Sequence, residues 1–438
     1  MDGSTLQSVF ASILDRDTVN HRALALGAVF RVRKIEPYDL VLALLRASGT
    51  GASRTIAAVR RAWELLTGTT VSESAFEERF NGGLVRLLWE LFETVTRPVP
   101  RALRRQWPQP MRALRDVLIT DGSRIALGQS LAEVFRGTGP GQAGIKLLAR
   151  LSLSQGQLDD IRAGAAVHHD RRLLRLGEAV AGALYLMDLG FYDHTLFAQL
   201  DDAGSYFVSR LKEGVVATIA SVSQGVIDAR RAVGRRIDDA LRTRATVDVD
   251  ARFRSREEES GERVFRVVKV TVPRCDRHDH WVGGHHAFWF VTNLPRDTWT
   301  AEMIAALYRL RWWVERAFRQ LKSLARLDQI RSERPSVIFA FMAASLIVWA
   351  LGASIVRELE SDVGVGAVSH DRVHACLVEA LADVTMLLAC RPEAIASHLR
   401  GLAAVLRREG RHPNPGSPRR ITTVFETIEF EARLQAAA

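Results

Sequence analysis

Lysine is scarce in this chain. Only Lys34, Lys146, Lys212, Lys269 and Lys322 occur, against 60 Lys and Arg together in 438 residues. A lysine at any one position is therefore uncommon and carries information. Cysteine is scarcer still: Cys275, Cys376 and Cys390 are widely spaced and odd in number. That excludes a disulfide framework and makes a reducing compartment the default. The chain opens Met1-Asp2-Gly3 with no basic stretch or cleavage pattern, so no signal peptide is expected. No internal repeat is visible. An apolar share of 47% and a charged share of 25% exclude a disordered chain. What is in excess is positive charge, +10 at pH 7 with a pI near 10.1. Such an excess favours a polyanionic partner, either nucleic acid or an acidic membrane surface; a merely basic soluble protein would also show it.

The run from Tyr308 to Lys322 (YRLRWWVERAFRQLK) holds the spacing Y-x2-R-x3-E-x6-K. On one helix, Tyr308, Arg311, Glu315, Arg319 and Lys322 fall on a stripe roughly 80° wide. Leu307, Leu310, Val314, Ala317, Phe318 and Leu321 fall opposite, as a face to bury. An amphipathic surface helix with i,i+4 ion pairs would show a similar pattern. A carboxylate set among cations, however, also suits a metal ion and a phosphate backbone together.

Two more carboxylates have a telling context. Asp121 ends the apolar run Val117-Leu118-Ile119-Thr120 and precedes Gly122. Asp188 ends Ala183-Leu184-Tyr185-Leu186-Met187 and precedes Leu189-Gly190. Each reads as a buried strand delivering an acid at its end, although turn aspartates after strands are common. Asp170 and Asp193, nearby, read as loop carboxylates.

With these motifs the sequence resembles the DDE transposases of bacterial insertion sequences, in the IS-four-like branch with the Y-R-E-K signature. The resemblance covers roughly residues 110 to 350. It maps the acidic triad to Asp121 in TDGS, Asp188 in DLGF and Glu315. VTNL at Val291 to Leu294 and the following TAEMIAALYRLRWWVE match the lead-in to the glutamate helix. One departure is Leu189, where many relatives carry a polar or basic residue.

The resemblance implies an α/β fold: an RNase H-like mixed-sheet catalytic core interrupted by a β-rich insertion, with an N-terminal helical domain and C-terminal helices. It implies metal-dependent DNA strand cleavage and strand transfer, that is, cut-and-paste transposition. Asp121, Asp188 and Glu315 would be both catalytic and metal ligands. Oxygen ligands favour Mg²⁺ or Mn²⁺, two ions supporting in-line displacement at phosphorus. Tyr308, Arg311, Arg319 and Lys322 would contact DNA. So would Trp289, within Phe288-Trp289-Phe290, as the aromatic that receives a flipped-out base; such a cluster is more often core. The partners implied are terminal inverted repeats and target DNA, with a homodimer in the synaptic complex, no membrane, and a cytoplasmic, nucleoid-associated location. Alternatives are a catalytically inactive or domesticated DNA-binding relative, and an RNase H-like nuclease that hydrolyses without joining.

The domains follow. Residues 1–97 read as helical, with Asp39–Leu45, Thr55–Leu66 ending at Gly68, and Ser72–Phe80 in helix-turn-helix outline, expected to bind DNA ends. A proline-broken basic connector, 98–110, leads to the first core part, 110–213, with strands at Val117, Ile125–Leu127, Gly144–Leu153 and Tyr206–Arg210. It also holds helix near Leu173–Ala183 and at Leu196–Ala203. The β-rich insertion, 214–295, has strands at Ala245–Phe253, Arg263–Val272 and His286–Val291. The second core part, 296–360, carries the glutamate helix. Residues 361–438 read as helices with a basic tail at 407–420. Val337–Val356 is twenty residues without charge, long enough to span a bilayer. Its serines, glycine and alanines, and its isolation, favour a buried helix instead. Cys275, His278, His280, His285 and His286 are zinc-type ligands, but their spacing matches no zinc module; a polar hairpin loop is the plainer reading.

Overall fold

The computed structural model describes residues 1–31, 34–49, 53–97, 103–169, 173–174, 179–225, 229–237, 246–254, 262–275, 281–323, 330, 332–412 and 421–437. The chain begins with helices α1 (Gly3–Leu14), α2 (Arg16–Ala25), α3 (Pro37–Gly49), α4 (Ile56–Thr67), α5 (Glu73–Glu77) and α6 (Gly82–Val95). Their ends are written in the sequence. The Thr55 side chain accepts from Ala58 N–H to start α4, and Gly68, at φ 65°, closes it. Ser72 caps α5, which stops after five residues rather than running to Phe80.

Strands β1 (Val117–Leu127), β2 (Ala143–Ser152), β3 (Gln157–Ala165) and β4 (Leu184–Met187) follow, then α7 (His194–Asp202). Next come β5 (Tyr206–Arg210), β6 (Ala217–Gln224), β7 (Val247–Arg254), β8 (Glu262–Cys275) and β9 (Trp281–Thr292). They form one nine-stranded sheet ordered β3-β2-β1-β4-β5-β9-β8-β7-β6. β1, β4 and β5 run parallel, flanked by antiparallel β2 and β3, which is the RNase H-like arrangement. The insertion does not form a separate sheet. β9 pairs antiparallel with β5, so β6 to β9 prolong the core sheet. Val247, Val249, Ala251 and Phe253 of β7 all turn inward, as their alternation predicts.

Two strands escape sequence reading. β3 and β6 are the outermost strands, half-exposed and polar, so neither carries a clean apolar alternation. Of the helix read at Leu173–Ala183, residues 175–178 lie outside the described residues, and residues 179–183 form a turn into β4 instead of helix.

The sheet has two apolar faces. Ile119, Leu186, Val208 and Phe290 join one core, and Leu118, Tyr185, Phe207 and Val291 the other. The first face is covered by α8 (Ala301–Arg309), α9 (Trp312–Ser323) and α10 (Pro335–Val363). Helices α11 (His370–Cys390), α12 (Ile395–Glu409) and α13 (Ile421–Ala437) complete the described chain.

The most apolar stretch of α10 is 94% buried. α10 packs against α3, α6, α9, α11 and β3, so it is the central buried helix. α11 is also long and apolar enough to cross a bilayer by composition alone; it packs on α3, α4, α10 and α12. α1 packs on α12. Residues of α1 to α6 therefore share one continuous core with the helices behind the sheet.

Candidate active site

Asp121 lies inside β1, not at its end. β1 continues to Leu127 because antiparallel pairing with β2 persists, with Asp121 opposite Ala149. Parallel pairing with β4 stops at Thr120–Met187, so Asp121 stands where the central pair diverges. Asp188 is the residue after β4. Both follow the parity of Ile119 and Leu186 and so project on the face covered by α8, α9 and α10. The Asp188 side chain does not cap the 3-10 turn Leu189–Phe191 that follows it. Asp193 does cap: its carboxylate accepts from Thr195 and Leu196 N–H at the start of α7.

The expected single helix from Tyr308 to Lys322 is broken. α8 ends at Arg309, Leu310 and Arg311 form a turn, and α9 starts at Trp312. Short-range bonds tighten the join, with Arg311 N–H donating to Tyr308 C=O (3.1 Å) and Trp313 N–H to Leu310 C=O (3.0 Å). The apolar side still forms as the pattern requires: Leu307, Leu310, Val314, Ala317, Phe318 and Leu321 are all buried. α9 packs on β1 and β2, which brings Glu315 towards Asp121.

The three acids surround one guanidinium. Arg311 Nη2 is 2.6 Å from Glu315 Oε1, Nη1 is 3.7 Å from Asp121 Oδ2, and Nε is 3.9 Å from Asp188 Oδ1. Tyr308 donates its hydroxyl to Asp188 Oδ1 at 3.4 Å, and its ring packs on Phe290 at 5.1 Å. Burial pushes the Asp121 carboxyl up to about 6, with the neighbouring Asp188 and Glu315 adding to it against Gly122 N–H and Arg311. Burial alone would lower the Arg311 guanidinium, but Tyr308, Asp188, Glu315 and Asp121 outweigh it and hold it above its ordinary value. Burial raises the Tyr308 phenol too.

A guanidinium is the cation at this centre. Among the described residues no three acid, His or Cys side chains meet at one point as they stand, because the acids are spread around Arg311. The donor set, carboxylate oxygens only, fits a hard divalent ion that would replace or displace that guanidinium.

The other sequence candidates are placed differently. Lys322 is half-buried in the last turn of α9. Arg319 is exposed and borders a cavity with Trp312, Trp313 and Arg316. Trp289 is not brought to the acids. Strand alternation turns Phe288 and Phe290 to the catalytic face and Trp289 to the opposite one, where Lys269 Nζ lies 5.2 Å from its ring centre. Of the zinc-type residues, His278 and His280 lie outside the described residues. His285 and His286 are consecutive on β9 and diverge to opposite faces.

Sequence reading missed Arg210. Met187 pairs with Ser209, so Arg210 at the end of β5 stands beside Asp188 at the end of β4. Its guanidinium lies 5.6 Å from the Phe288 ring, and its charge reaches Tyr308. The available signal was a cation closing the strand next to that of an acid.

The family model described as Transposase DDE domain matches residues 112–351. The transposase of insertion sequence IS231F from Bacillus thuringiensis subsp. israelensis is 23% identical over 361 residues, 76% of this chain and 75% of that protein. The transposase of IS231E from B. thuringiensis subsp. finitimus is 24% identical over 346 residues, 71% of this chain and 72% of that protein. The putative transposase InsL of IS186A from Escherichia coli K12 is 46% identical over 57 residues, 13% of this chain and 15% of that protein. Among solved structures, the piggyBac transposase synaptic complex with hairpin DNA aligns at TM-score 0.43 and 10% identity, over 94% of this chain and 86% of that one. That alignment is too shallow to bear on the assignment. The family match spans more than half of the chain and includes all three acids and the Y-R-E-K residues, and by it this chain belongs to the DDE transposases of insertion sequences.

Proposed function

We propose that this transposase cuts both ends of its element and joins them to target DNA, using Asp121, Asp188 and Glu315 as its acidic triad. The observation that carries the reading is the convergence of those three carboxylates, from β1, the end of β4 and α9, on the single cation Arg311. The family uses divalent metal ions. Two Mg²⁺ or Mn²⁺ ions held by the triad would supply charge stabilisation for attacking and leaving oxygens at phosphorus.

The chain's own residues have definable tasks. The sheet sets the backbone at Asp121 and just before Asp188, and the buried face of α9 sets it at Glu315. Arg311 offsets the acids until a cation and DNA arrive, then turns its guanidinium to a phosphate oxygen. Tyr308 holds Asp188 by its hydroxyl. Arg210 and Lys322 flank the acids and suit backbone phosphates on either side. Residues 1–97 recognise the element's terminal repeats, and their packing against α10 to α12 couples end binding to the catalytic core. Two copies would act on two ends in a synaptic dimer, in the bacterial cytoplasm and without a membrane.

The test is to incubate the protein with its flanking genomic DNA and Mg²⁺ and map the breaks. Cleavage at the element's two ends supports the proposal. Cleavage scattered along the DNA without joined products would instead favour a nuclease of the same fold.

A further inference from the structure

The loop between α2 and α3 carries an aromatic side chain held clear of the fold. Phe30 is 99% exposed, against 66% for Leu65, the next among the described large apolar side chains. Its surroundings in the chain are packed. Ala28 and Val29 before it and Ile35 after it are all buried. A phenylalanine left in water between packed residues forgoes one of the larger burial gains that a side chain offers. A scattered apolar residue on a surface is ordinary and needs no explanation. Phe30 differs because its loop is braced and its setting is basic.

The bracing comes from the start of α6. Asn81 Nδ2 donates to the Ala28 carbonyl (3.0 Å), and Arg86 Nη2 donates to the Leu26 carbonyl (2.7 Å). Gly27, at φ 70°, turns the chain out of α2, and its N–H and that of Ala28 bond back to the Leu24 and Ala23 carbonyls at 3.2 and 2.9 Å. Gly83 lies so close that a Cβ there would strike the Gly27 backbone. The charge around Phe30 is of one sign. From Thr18 to Ile35 the sequence holds no acid. Arg22, Arg31, Lys34 and Arg86 are all exposed. Of the acids nearby, Glu36 and Asp39 are held by Arg16 at 2.5 and 3.0 Å, and Glu90 reaches Arg22 at 3.8 Å.

We infer that Phe30 is a wedge for double-stranded DNA, entering between two stacked base pairs from the minor groove while Arg31 and Lys34 take neighbouring phosphates. The inference deepens the reading of residues 1–97 as the part that recognises the element's ends, and rests on it. Apolar side chains used in this way unstack one step and kink the duplex, and the basic groups beside them hold the bent backbone. Charge selects the occupant. A second copy docked face to face would bring the same cations together, whereas the phosphates of a duplex complement them. The phosphate contacts fix position without reading sequence. The wedge adds a preference at one step, since pyrimidine–purine steps open more easily than others. It therefore contributes to end recognition without touching a base edge.

The full chain is tested without divalent metal, on a duplex carrying one end of the element taken from its flanking genomic DNA. 2-Aminopurine is placed at successive positions in that duplex, because its fluorescence rises where stacking is lost. The wild type should brighten the probe at one step. Phe30→Ala should lose that signal and bind the end about ten- to a hundredfold more weakly, with an unchanged salt slope. Phe30→Leu, still an apolar wedge, should keep part of both. Arg31→Ala and Lys34→Ala should instead each flatten the salt slope by about one phosphate contact. Phe30 is exposed, so its variants should melt at the wild-type temperature, which separates a lost wedge from a lost fold. Equal brightening and equal affinity in Phe30→Ala overturn the wedge and leave end recognition standing. A wild type that binds the end no better than unrelated duplex removes the reading of residues 1–97, and the wedge with it. A free chain that sediments as a dimer in the wild type and as a monomer in Phe30→Ala, with DNA binding unaltered, assigns the side chain to a second copy and also overturns the wedge.

Discussion

Replacing Arg311 by alanine should strengthen divalent metal binding, although it removes a residue of the catalytic cluster. The guanidinium contacts Glu315 at 2.6 Å and the two aspartates at 3.7 and 3.9 Å. At an effective dielectric of about 20, one charge pair at 4 Å is worth about 4 kcal/mol before desolvation is counted. Solvent-exposed pairs net only about 0–1 kcal/mol, while breaking a buried pair costs about 3–5. Arg311 is 14% exposed and its partners are 20–41% exposed, so the cluster falls between these limits, at about 2 kcal/mol. An incoming cation must displace that guanidinium or share the acids with it. Removing it should therefore raise Mn²⁺ affinity by roughly 30-fold, at about 1.4 kcal/mol per tenfold. Calorimetric titration of wild type and Arg311→Ala with Mn²⁺, without DNA, reads this directly. Unchanged or weaker binding in the variant would refute the reasoning, and would mean that Arg311 shapes the acids rather than standing in for the metal.

Lys322→Ala should weaken complexes with cleaved ends and flatten their salt dependence by about one phosphate contact while Mn²⁺ binding persists; an unchanged salt slope in gel-shift titrations would remove Lys322 from the interface. Tyr308→Phe should be milder than Arg311→Ala in nicking, second-strand cleavage and joining, because only the bond to Asp188 is lost; equal defects would contradict that ordering. Metal binding should weaken as pH falls through about 6, because Asp121 takes up a proton there and protons compete with the cation; affinity that stays flat from pH 7 to 5 would count against Asp121 as a ligand. A chain starting near Val117 should lose thermal stability outright, because it uncovers the faces of α10 and α11 that α3 and α6 bury, and each large apolar side chain exposed costs about 1.5–3 kcal/mol. A cooperative melt near the wild-type temperature would show that the N-terminal helices form an independent domain.

Much of this was legible in the sequence because it rests on local periodicity and strand-end chemistry. The apolar stripe of α9, the alternation of β7, the limits of β5 and the burial of Val337–Val356 follow from spacing alone. The break at Leu310–Arg311 was not legible, since neither proline nor glycine marks it. The side of the sheet that Trp289 occupies depends on the register of β9 against β5 and β8, which no local pattern states. Arg210 reaches Asp188 only through the pairing of β5 with β4, which packing sets. Asp188 reads as a strand-end acid and Asp193 as a loop carboxylate, and the polar contacts give each its partner: Asp193 is spent on a helix cap and Asp188 is directed to Arg311.

The central claim is the identity of the acidic triad. It is tested most directly by end cleavage in Mg²⁺ for Asp121→Asn, Asp188→Asn and Glu315→Gln beside Asp193→Asn. The account predicts that the first three bind DNA ends but cleave at least about a thousandfold more slowly, within the range that single catalytic groups supply. Asp193→Asn should cleave near the wild-type rate, because asparagine caps a helix about as well as aspartate. Wild-type cleavage by Asp188→Asn, or loss of cleavage in Asp193→Asn with the fold intact, would contradict it.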